Sequence, residues 1–270
     1  MYSIKLYLCI AAICVFVFLE FPKFKGNEHR CGIEASGNLI HHNPWLVYLE
    51  YYVGDHQKEY RCSGTLISPR HVVTAAHCVR KIKFTRLAAR LGDYDVSTEK
   101  DCVTGLCSDP NLSIQVSEII VHPDYDGKEG DIAILKLDTD APYTDFIRPI
   151  CLPSNPIKGN VTLYATGWGE IPTIGMYSNI KKILPLPNWS LEQCHRVFEN
   201  LPDKVLCAGG EEGVDTCRGD SGGTLALVKE RVEFVGVTST GCQRCGTKGY
   251  PAVYVSVYDY IDWISLVTKH

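Results

Sequence analysis

A succession of short β-branched and aromatic runs, broken by glycine, proline and polar turn residues, constrains this chain more than any other feature. In the first half Trp45–Val53, Gly64–Ile67, Val72–Thr74, Ile114–Val121 and Ile132–Leu137 read as strands. Val161–Thr166, Lys182–Leu186, Thr224–Val228, Val232–Thr238 and Ala252–Val257 continue the pattern in the second half. No helical stretches alternate with them, so the spacing predicts an all-β fold of barrels or sandwiches. The proline-rich and acidic stretch 138–153 reads as a linker between the halves. Two helices are predicted. Ser190-Leu-Glu-Gln193 forms a capping-box pattern that opens a helix to about Phe198. Residues 258–268 place Ile261, Ile264 and Val267 on one face of an amphipathic C-terminal helix.

At 270 residues the chain is long enough for a sizeable core in one or two domains. A net charge of −4, with no polybasic run, points away from nucleic acid. Lys5 precedes an apolar run from Leu6 to Leu19 that reads as the core of a secretory leader. That run is shorter than the roughly 17–25 residues of a membrane span. Residues 1–21 are therefore expected to be a signal peptide, with an imprecise cleavage site, and 22–30 a short basic link. A membrane association is expected only if the leader stays uncleaved. Thirteen cysteines fit an oxidising, extracellular setting. Cys9 and Cys14 lie in the leader, which leaves an odd number beyond it. Asn111, Asn160 and Asn188 head glycosylation tripeptides, consistent with export.

Chemistry concentrates in Cys217-Arg-Gly-Asp-Ser-Gly-Gly223. A serine between an aspartate and two glycines suits an exposed nucleophile on a tight loop. The amides of Gly219 and Ser221 are placed to form an oxyanion hole. Such a serine needs a base and a carboxylate elsewhere. Thr74-Ala-Ala-His77-Cys78 offers His77 after an apolar strand. Asp131, at the head of the apolar run Ile132–Leu137, offers a carboxylate that is costly to bury without partners.

With those three motifs in the order histidine, aspartate, serine, the chain resembles the chymotrypsin-fold family of serine peptidases from about Cys31 to Tyr260. Pro44-Trp45, Cys151-Leu-Pro153, Gly167-Trp-Gly169 and Asp262-Trp-Ile264 extend the match. Asp101-Cys-Val-Thr-Gly-Leu-Cys107 resembles the small disulfide loop of arthropod clip-type catalytic domains, although the stretch between leader and Cys31 has no room for a clip domain.

The resemblance implies two packed six-stranded antiparallel Greek-key barrels with a C-terminal helix. The domain would span 31–270, with the first barrel over 33–137, the linker over 138–153 and the second barrel with its helix over 154–270. Ser221 would be the nucleophile, His77 the general base and Asp131 the orienting carboxylate. Asp215 would form the floor of a pocket selective for arginine or lysine, with Ser239, Gly241 and Ala252 also contacting substrate. Implied disulfides are Cys31–Cys151, Cys62–Cys78, Cys102–Cys107, Cys194–Cys207 and Cys217–Cys245. Cys242 is left free, or available for a bond to another chain. No cofactor and no metal are expected: Cys242 and Cys245 lack further zinc ligands, and the loop at Asp93 has too few carboxylates for calcium. Expected partners are protein or peptide substrates with arginine or lysine before the cut, and protein inhibitors.

Four positions depart from the family pattern. Ala252 stands where a pocket-wall glycine is usual, Thr240 where a tryptophan is usual, and Arg218 sets a positive charge at the pocket mouth. At the front of the domain, relatives are cut before Ile-Val-Gly-Gly, and the new ammonium pairs with the aspartate preceding the serine, here Asp220. This chain has Cys31-Gly-Ile-Glu-Ala-Ser-Gly37 instead, with no lysine or arginine between Cys31 and Gln57. Ile33 falls near the family's new N-terminus, and Glu34 beside it would bring a carboxylate toward Asp220. Three readings follow: an active secreted endopeptidase, a zymogen-locked or weakly active homologue that regulates by binding, and an extracellular scaffold that uses the fold alone.

Overall fold

The computed structural model describes residues 31–58 and 61–269. The expected leader and link (1–30) lie outside the described residues. From Cys31 onward the chain is one compact unit.

The first half contributes β1 (Leu46–Val53), β2 (His56–Lys58), β3 (Ser63–Ser68), β4 (His71–Thr74) and β5 (Arg86–Leu91). A two-stranded ribbon follows, β6 (Cys102–Val103) with β7 (Leu106–Cys107), and then β8 (Leu112–Val121) and β9 (Ala133–Leu137). The sheet runs β2-β1-β3-β4-β9-β8-β5, and β5 also pairs with β1, so six strands close on themselves while β2 extends β1 as a hairpin. The second half contributes β10 (Thr162–Gly167), the ribbon β11 (Glu170–Ile171) with β12 (Met176–Tyr177), β13 (Lys182–Trp189) and β14 (Val205–Gly209). It ends with β15 (Thr224–Val228), β16 (Val232–Thr240) and β17 (Pro251–Ser256), closed in the order β10-β13-β14-β17-β16-β15. Every barrel pairing is antiparallel. The predicted all-β class and the two six-stranded barrels are what the molecule has.

Closure removes the open edges that a flat sheet would leave to aggregate. Each barrel buries an apolar core, and strands such as β1 and β9 are buried on both faces. Val47, Leu49, Tyr51, Ile134 and Leu135 fill the first barrel, and Leu163, Leu186, Leu225 and Tyr254 the second. Phe234, Val255, Val257 and Ile264 join the first barrel's core cluster, so the two halves share apolar packing.

Three helices complete the fold. Helix α1 (His77–Arg80) follows β4; α2 (Leu191–His195) and α3 (Ile261–Thr268) lie in the second half. Ser190 accepts from the Gln193 amide while the Gln193 side chain accepts from the Ser190 amide, so the capping box forms as read. The helix it opens is shorter than expected and ends before Phe198. At the C-terminus a 3-10 turn, Tyr258–Tyr260, precedes α3, whose Ile264 is fully buried.

Candidate active site

The general-base candidate sits on the first turn after β4. Ala75 and Ala76 are fully buried, which lets this turn pack tightly against the body, and His77 opens α1. Asp131 lies just before β9, 5% exposed. One carboxylate oxygen, Oδ1, accepts from the His77 backbone N–H at 2.8 Å; the other, Oδ2, lies 2.8 Å from His77 Nδ1. The Ser239 hydroxyl donates to Oδ2 at 2.6 Å. An ionised carboxylate only accepts, so the proton of a neutral imidazole is on Nδ1 and the lone pair is on Nε2. Burial alone would raise the Asp131 pKa. Hydrogen bonds from His77 and Ser239, with the His77 charge, outweigh that and hold it below the usual carboxylate range.

Ser221 reaches the same place from the second barrel. Its carbonyl accepts from the Ser63 amide at 2.7 Å and lies 3.7 Å from the sulfur of Cys78, the residue after His77. The Cys62–Cys78 bond, with Cα atoms 6.2 Å apart, ties α1 to the start of β3 at this contact. Gly222 has φ +79°, and a Cβ there would overlap Thr74 Oγ1 and the Ser63 carbonyl, so only glycine lets the two loops meet. Among the described residues the Ser221 hydroxyl makes no hydrogen bond to His77. Catalytic hydrogen bonds commonly tighten only when substrate arrives. The turn closes through Asp220 N–H to Cys217 O at 3.0 Å and Gly223 N–H to Asp220 O at 2.9 Å. The amides of Gly219, at φ +97°, and of Ser221 have no acceptor among the described residues. Two uncommitted donors on one tight turn are the layout an oxyanion needs.

A recess of about 240 Å³ opens beside Ser221, walled by Thr216, Thr238, Ser239, Gly241 and the Cys217–Cys245 bridge. Asp215 lies behind Thr216 and is 4% exposed. Its Oδ2 accepts from the Gly246 amide at 3.0 Å, and its Oδ1 is buried without a partner. The carboxylate borders a separate cavity of about 250 Å³ that Asp220 also lines, and it is not part of the wall of the recess beside Ser221. Burial pushes its pKa up to about 6. A Cβ added to Gly241 would lie 3.6 Å from the Ala252 methyl, in ordinary contact, and Ala252 is not among the residues that wall the recess. Arg218 does not stand free at the pocket mouth: its Nη1 pairs with Glu170 Oε2 at 3.1 Å.

Asp220 is buried, accepting from Gly169 N–H at 2.8 Å and Cys217 N–H at 2.9 Å. No cation pairs with it among the described residues. Burial, with the neighbouring Asp215 charge, pushes its pKa up to about 6. A carboxyl that is harder to ionise folded than unfolded stabilises the fold fully below its unfolded pKa, and that contribution is lost as pH rises through the folded value. Here the window runs from 3.8 to about 6. The full effect is roughly 3 kcal/mol, of which about 2 kcal/mol falls between pH 4 and pH 8. Asp131 and the buried His71 and His122 shift in the opposite sense, so a difference measurement is needed. Relative to wild type, Asp220→Asn is expected to gain about 2 kcal/mol in denaturant-measured stability between pH 4 and pH 8. Parallel pH profiles for the two proteins would place the effect elsewhere.

The front segment is anchored away from Asp220. Cys31 bonds Cys151, Gly32 N–H donates to Pro149 O, and Gly32 O accepts from Val232 N–H. Glu34 turns toward His42 and Asn43, with Oε1 accepting from the Asn43 amide at 2.8 Å. Cys102–Cys107 and Cys194–Cys207 are also bonded, and Cys242 is free at the rim of the recess. Cys62, His77 and Cys78 cluster closely, but both sulfurs are in a disulfide and offer no thiolate to a metal. Of the glycosylation candidates, Asn160 is exposed, whereas the side-chain nitrogens of Asn111 and Asn188 donate to Thr98 O and Gly159 O.

A histidine and carboxylate from one barrel, with a serine loop from the other, are the arrangement found in two-barrel serine peptidases. The trypsin family model matches residues 34–264, and the chain belongs to that family. It is 38% identical to "Serine protease ea" of Drosophila melanogaster over 82% of this chain and 63% of that protein. It is also 38% identical to "CLIP domain-containing serine protease HP8" of Bombyx mori, over 88% of this chain and 71% of the relative. The chain thus spans under two thirds of the length of the first of these relatives. Among solved structures, mouse neuropsin, a serine protease, superposes with a TM-score of 0.71 at 28% identity, covering 84% of this chain and 96% of neuropsin.

Proposed function

We propose that this protein is a secreted serine endopeptidase that cleaves after arginine or lysine within an extracellular proteolytic cascade. The observation that carries this reading is the network from Asp131 to His77, beside a serine turn with two uncommitted amides. Ser221 Oγ attacks the scissile carbonyl while His77 Nε2 takes its proton. The carbonyl oxygen gains charge and is stabilised by the amides of Gly219 and Ser221. His77 then gives the proton to the leaving amine, the C–N bond breaks and an acyl–serine ester remains; water, deprotonated by His77, attacks that ester and Ser221 leaves with the proton back on Oγ. Asp131 keeps the Nδ1–H tautomer and stabilises the imidazolium.

Preference for a basic residue rests on Asp215, whose buried Oδ1 lacks a partner that a guanidinium or ammonium would supply. The five bridges support an oxidising compartment, and the relatives support a cascade role. Among the described residues no helix is long and apolar enough to cross a membrane.

One observation favours a second reading, a weakly active homologue that regulates by binding. Asp220 has two amide partners and no cation among the described residues, and the front segment that would supply one is held elsewhere. The two amides hold the turn in the shape the first reading needs, so the peptidase reading is preferred. Hydrolysis of an arginyl anilide and labelling by an active-site serine reagent separate them. Activity that disappears in Ser221→Ala supports the first, and neither signal in the wild type leaves the second.

A further inference from the structure

Asn160-Val-Thr162 has no part in peptide cleavage, yet the fold builds a setting for it. Asn160 is exposed, while both of its neighbours are clamped by one side chain. Asn188 Oδ1, on β13, accepts from the Val161 amide at 2.8 Å, and Asn188 Nδ2 donates to Gly159 O at 3.1 Å. The Asn188 backbone N–H donates to Val161 O, also at 3.1 Å. These bonds fix the chain on either side of Asn160, so its side chain is held outward on a ridge. Thr162, the third residue of the motif, opens β10 and is exposed as well.

Two hollows, of about 360 and 380 Å³, flank this ridge, and Asn160, Asn188 and Trp189 border both. Neither has His77, Asp131 or Ser221 in its wall. The larger is lined in part by Ile157, Leu191 and Tyr258, of which Leu191 is 45% and Tyr258 39% exposed. Trp189 is half-buried, and its Nε1–H donates to Gly209 O at 2.8 Å, which pins the indole. An aromatic face fixed beside exposed amides suits a ligand with both C–H and O–H surfaces, such as a sugar ring. Both volumes fall in the range of sites that enclose most of a small ligand.

We propose that Asn160 carries an N-linked oligosaccharide whose first sugars lie in these hollows against Trp189, Leu191 and Tyr258, and that Asn188 carries none. The inference rests on the export part of the proposed function, because the oligosaccharide is transferred on the secretory route. In that transfer the Asn160 amide nitrogen attacks the anomeric carbon of a lipid-diphosphate-linked oligosaccharide. The C–N bond forms and the C–O bond to phosphate breaks. The lipid diphosphate leaves with that electron pair, and the nitrogen loses one proton. The bulky, hydrated glycan then covers apolar side chains that the fold leaves exposed. Asn188 heads a second acceptor motif, but both of its amide atoms are turned onto Gly159 and Val161. A sugar on Asn188 Nδ2 would displace the clamp that presents Asn160.

The test expresses the full chain in insect cells in two forms, one with its own first residues and one behind an unrelated cleavable secretory leader. Glycopeptides of the exported protein are mapped by mass spectrometry, with Asn160 expected to be occupied and Asn188 bare. Thr162→Val removes the hydroxyl of the acceptor motif and keeps a β-branched strand residue, so it is expected to abolish the Asn160 glycan. Hydroxyl-radical labelling then compares wild type with Thr162→Val and Asn160→Gln. Labelling of Trp189, Leu191 and Tyr258 is expected to rise when the glycan is lost, while the half-buried Trp263 stays unchanged. Exported protein that is bare at Asn160 or glycosylated at Asn188 overturns the proposal. So does a glycan at Asn160 whose loss leaves the labelling of those three residues unmoved. Protein exported and glycosylated only behind the unrelated leader would defeat the export reading of residues 1–21 and leave the glycan site standing.

Discussion

Ser221→Ala is expected to lower hydrolysis of an arginyl anilide by about 10⁴- to 10⁶-fold while the fold stays intact. The size follows from the chemistry. Removing Oγ deletes the acyl intermediate, so His77 is left with only water to activate. What remains is binding and the two oxyanion donors, worth a residual 10³- to 10⁴-fold or so over the uncatalysed reaction. The hydroxyl makes no hydrogen bond among the described residues and the side chain is half-buried, so stability should change by less than about 0.5 kcal/mol. His77→Ala should cost a similar factor alone and add little to Ser221→Ala, because the two act as one unit. A Ser221→Ala protein with wild-type rates would remove Ser221 from the mechanism, and a double variant in which the two losses multiply would show that it does not act as one unit with His77.

The candidate catalytic residues were legible in the sequence because the proposed reaction restricts their type. Ser221, His77 and Asp131 are of the types that can serve as nucleophile, base and orienting carboxylate, and Gly222 is demanded by backbone approach. Architecture was less evenly legible. Two barrel strands escaped the strand reading, Arg86–Leu91 and Val205–Gly209. The first reads Arg-Leu-Ala-Ala-Arg-Leu and the second ends Cys-Ala-Gly, so neither has the β-branched run that marks its neighbours. Pairing decides them: β5 bridges β1 to β8 and closes the first barrel, and β14 joins β13 to β17 in the second.

Within each barrel the strands, taken in chain order, sit in the same spatial sequence of first, second, third, sixth, fifth and fourth. No sequence repeat announces that symmetry, since apolar residues of similar volume can exchange within a core. Function assembled from distant segments was equally hidden. Ser239 was assigned to substrate contact through the family resemblance, but its bond to Asp131 is visible only in three dimensions. A cavity beside Thr240 draws its walls from α2's exit, β14, β17 and Tyr260, and no local motif records that meeting. Asp93 shows the same limit. In sequence it stood only in a loop with too few carboxylates for calcium; in the fold it pairs with Arg90 Nε at 2.6 Å, and the buried Lys181 lies near enough to be felt electrostatically.

Asp215→Ser is expected to lower kcat/KM on arginyl substrates by about 10³-fold, while the rate of labelling of Ser221 by a small neutral reagent changes only a few-fold. The carboxylate is already held away from water, and burial has raised its pKa to about 6, so the protein carries the desolvation cost before substrate arrives. A guanidinium beside Oδ1 then gains attraction without much further loss of solvent, and it draws the Asp215 pKa down again. Because that attraction requires the ionised form, arginine preference should weaken as pH falls through about 6. The Ala252 methyl, next to Gly241, stands where the family's pocket has a glycine and would crowd a long basic side chain. Ala252→Gly should therefore raise kcat/KM on arginyl substrates by about 10-fold, in line with one methyl group of room in a tight pocket. The gain should be absent when Asp215 is also changed, because the space admits a basic side chain only to meet that carboxylate. A wild-type protein that prefers alanine to arginine before the cut would reverse the argument. The 240 Å³ recess beside Ser221 would then be the whole of the primary pocket, and Asp215 a buried acid behind its wall.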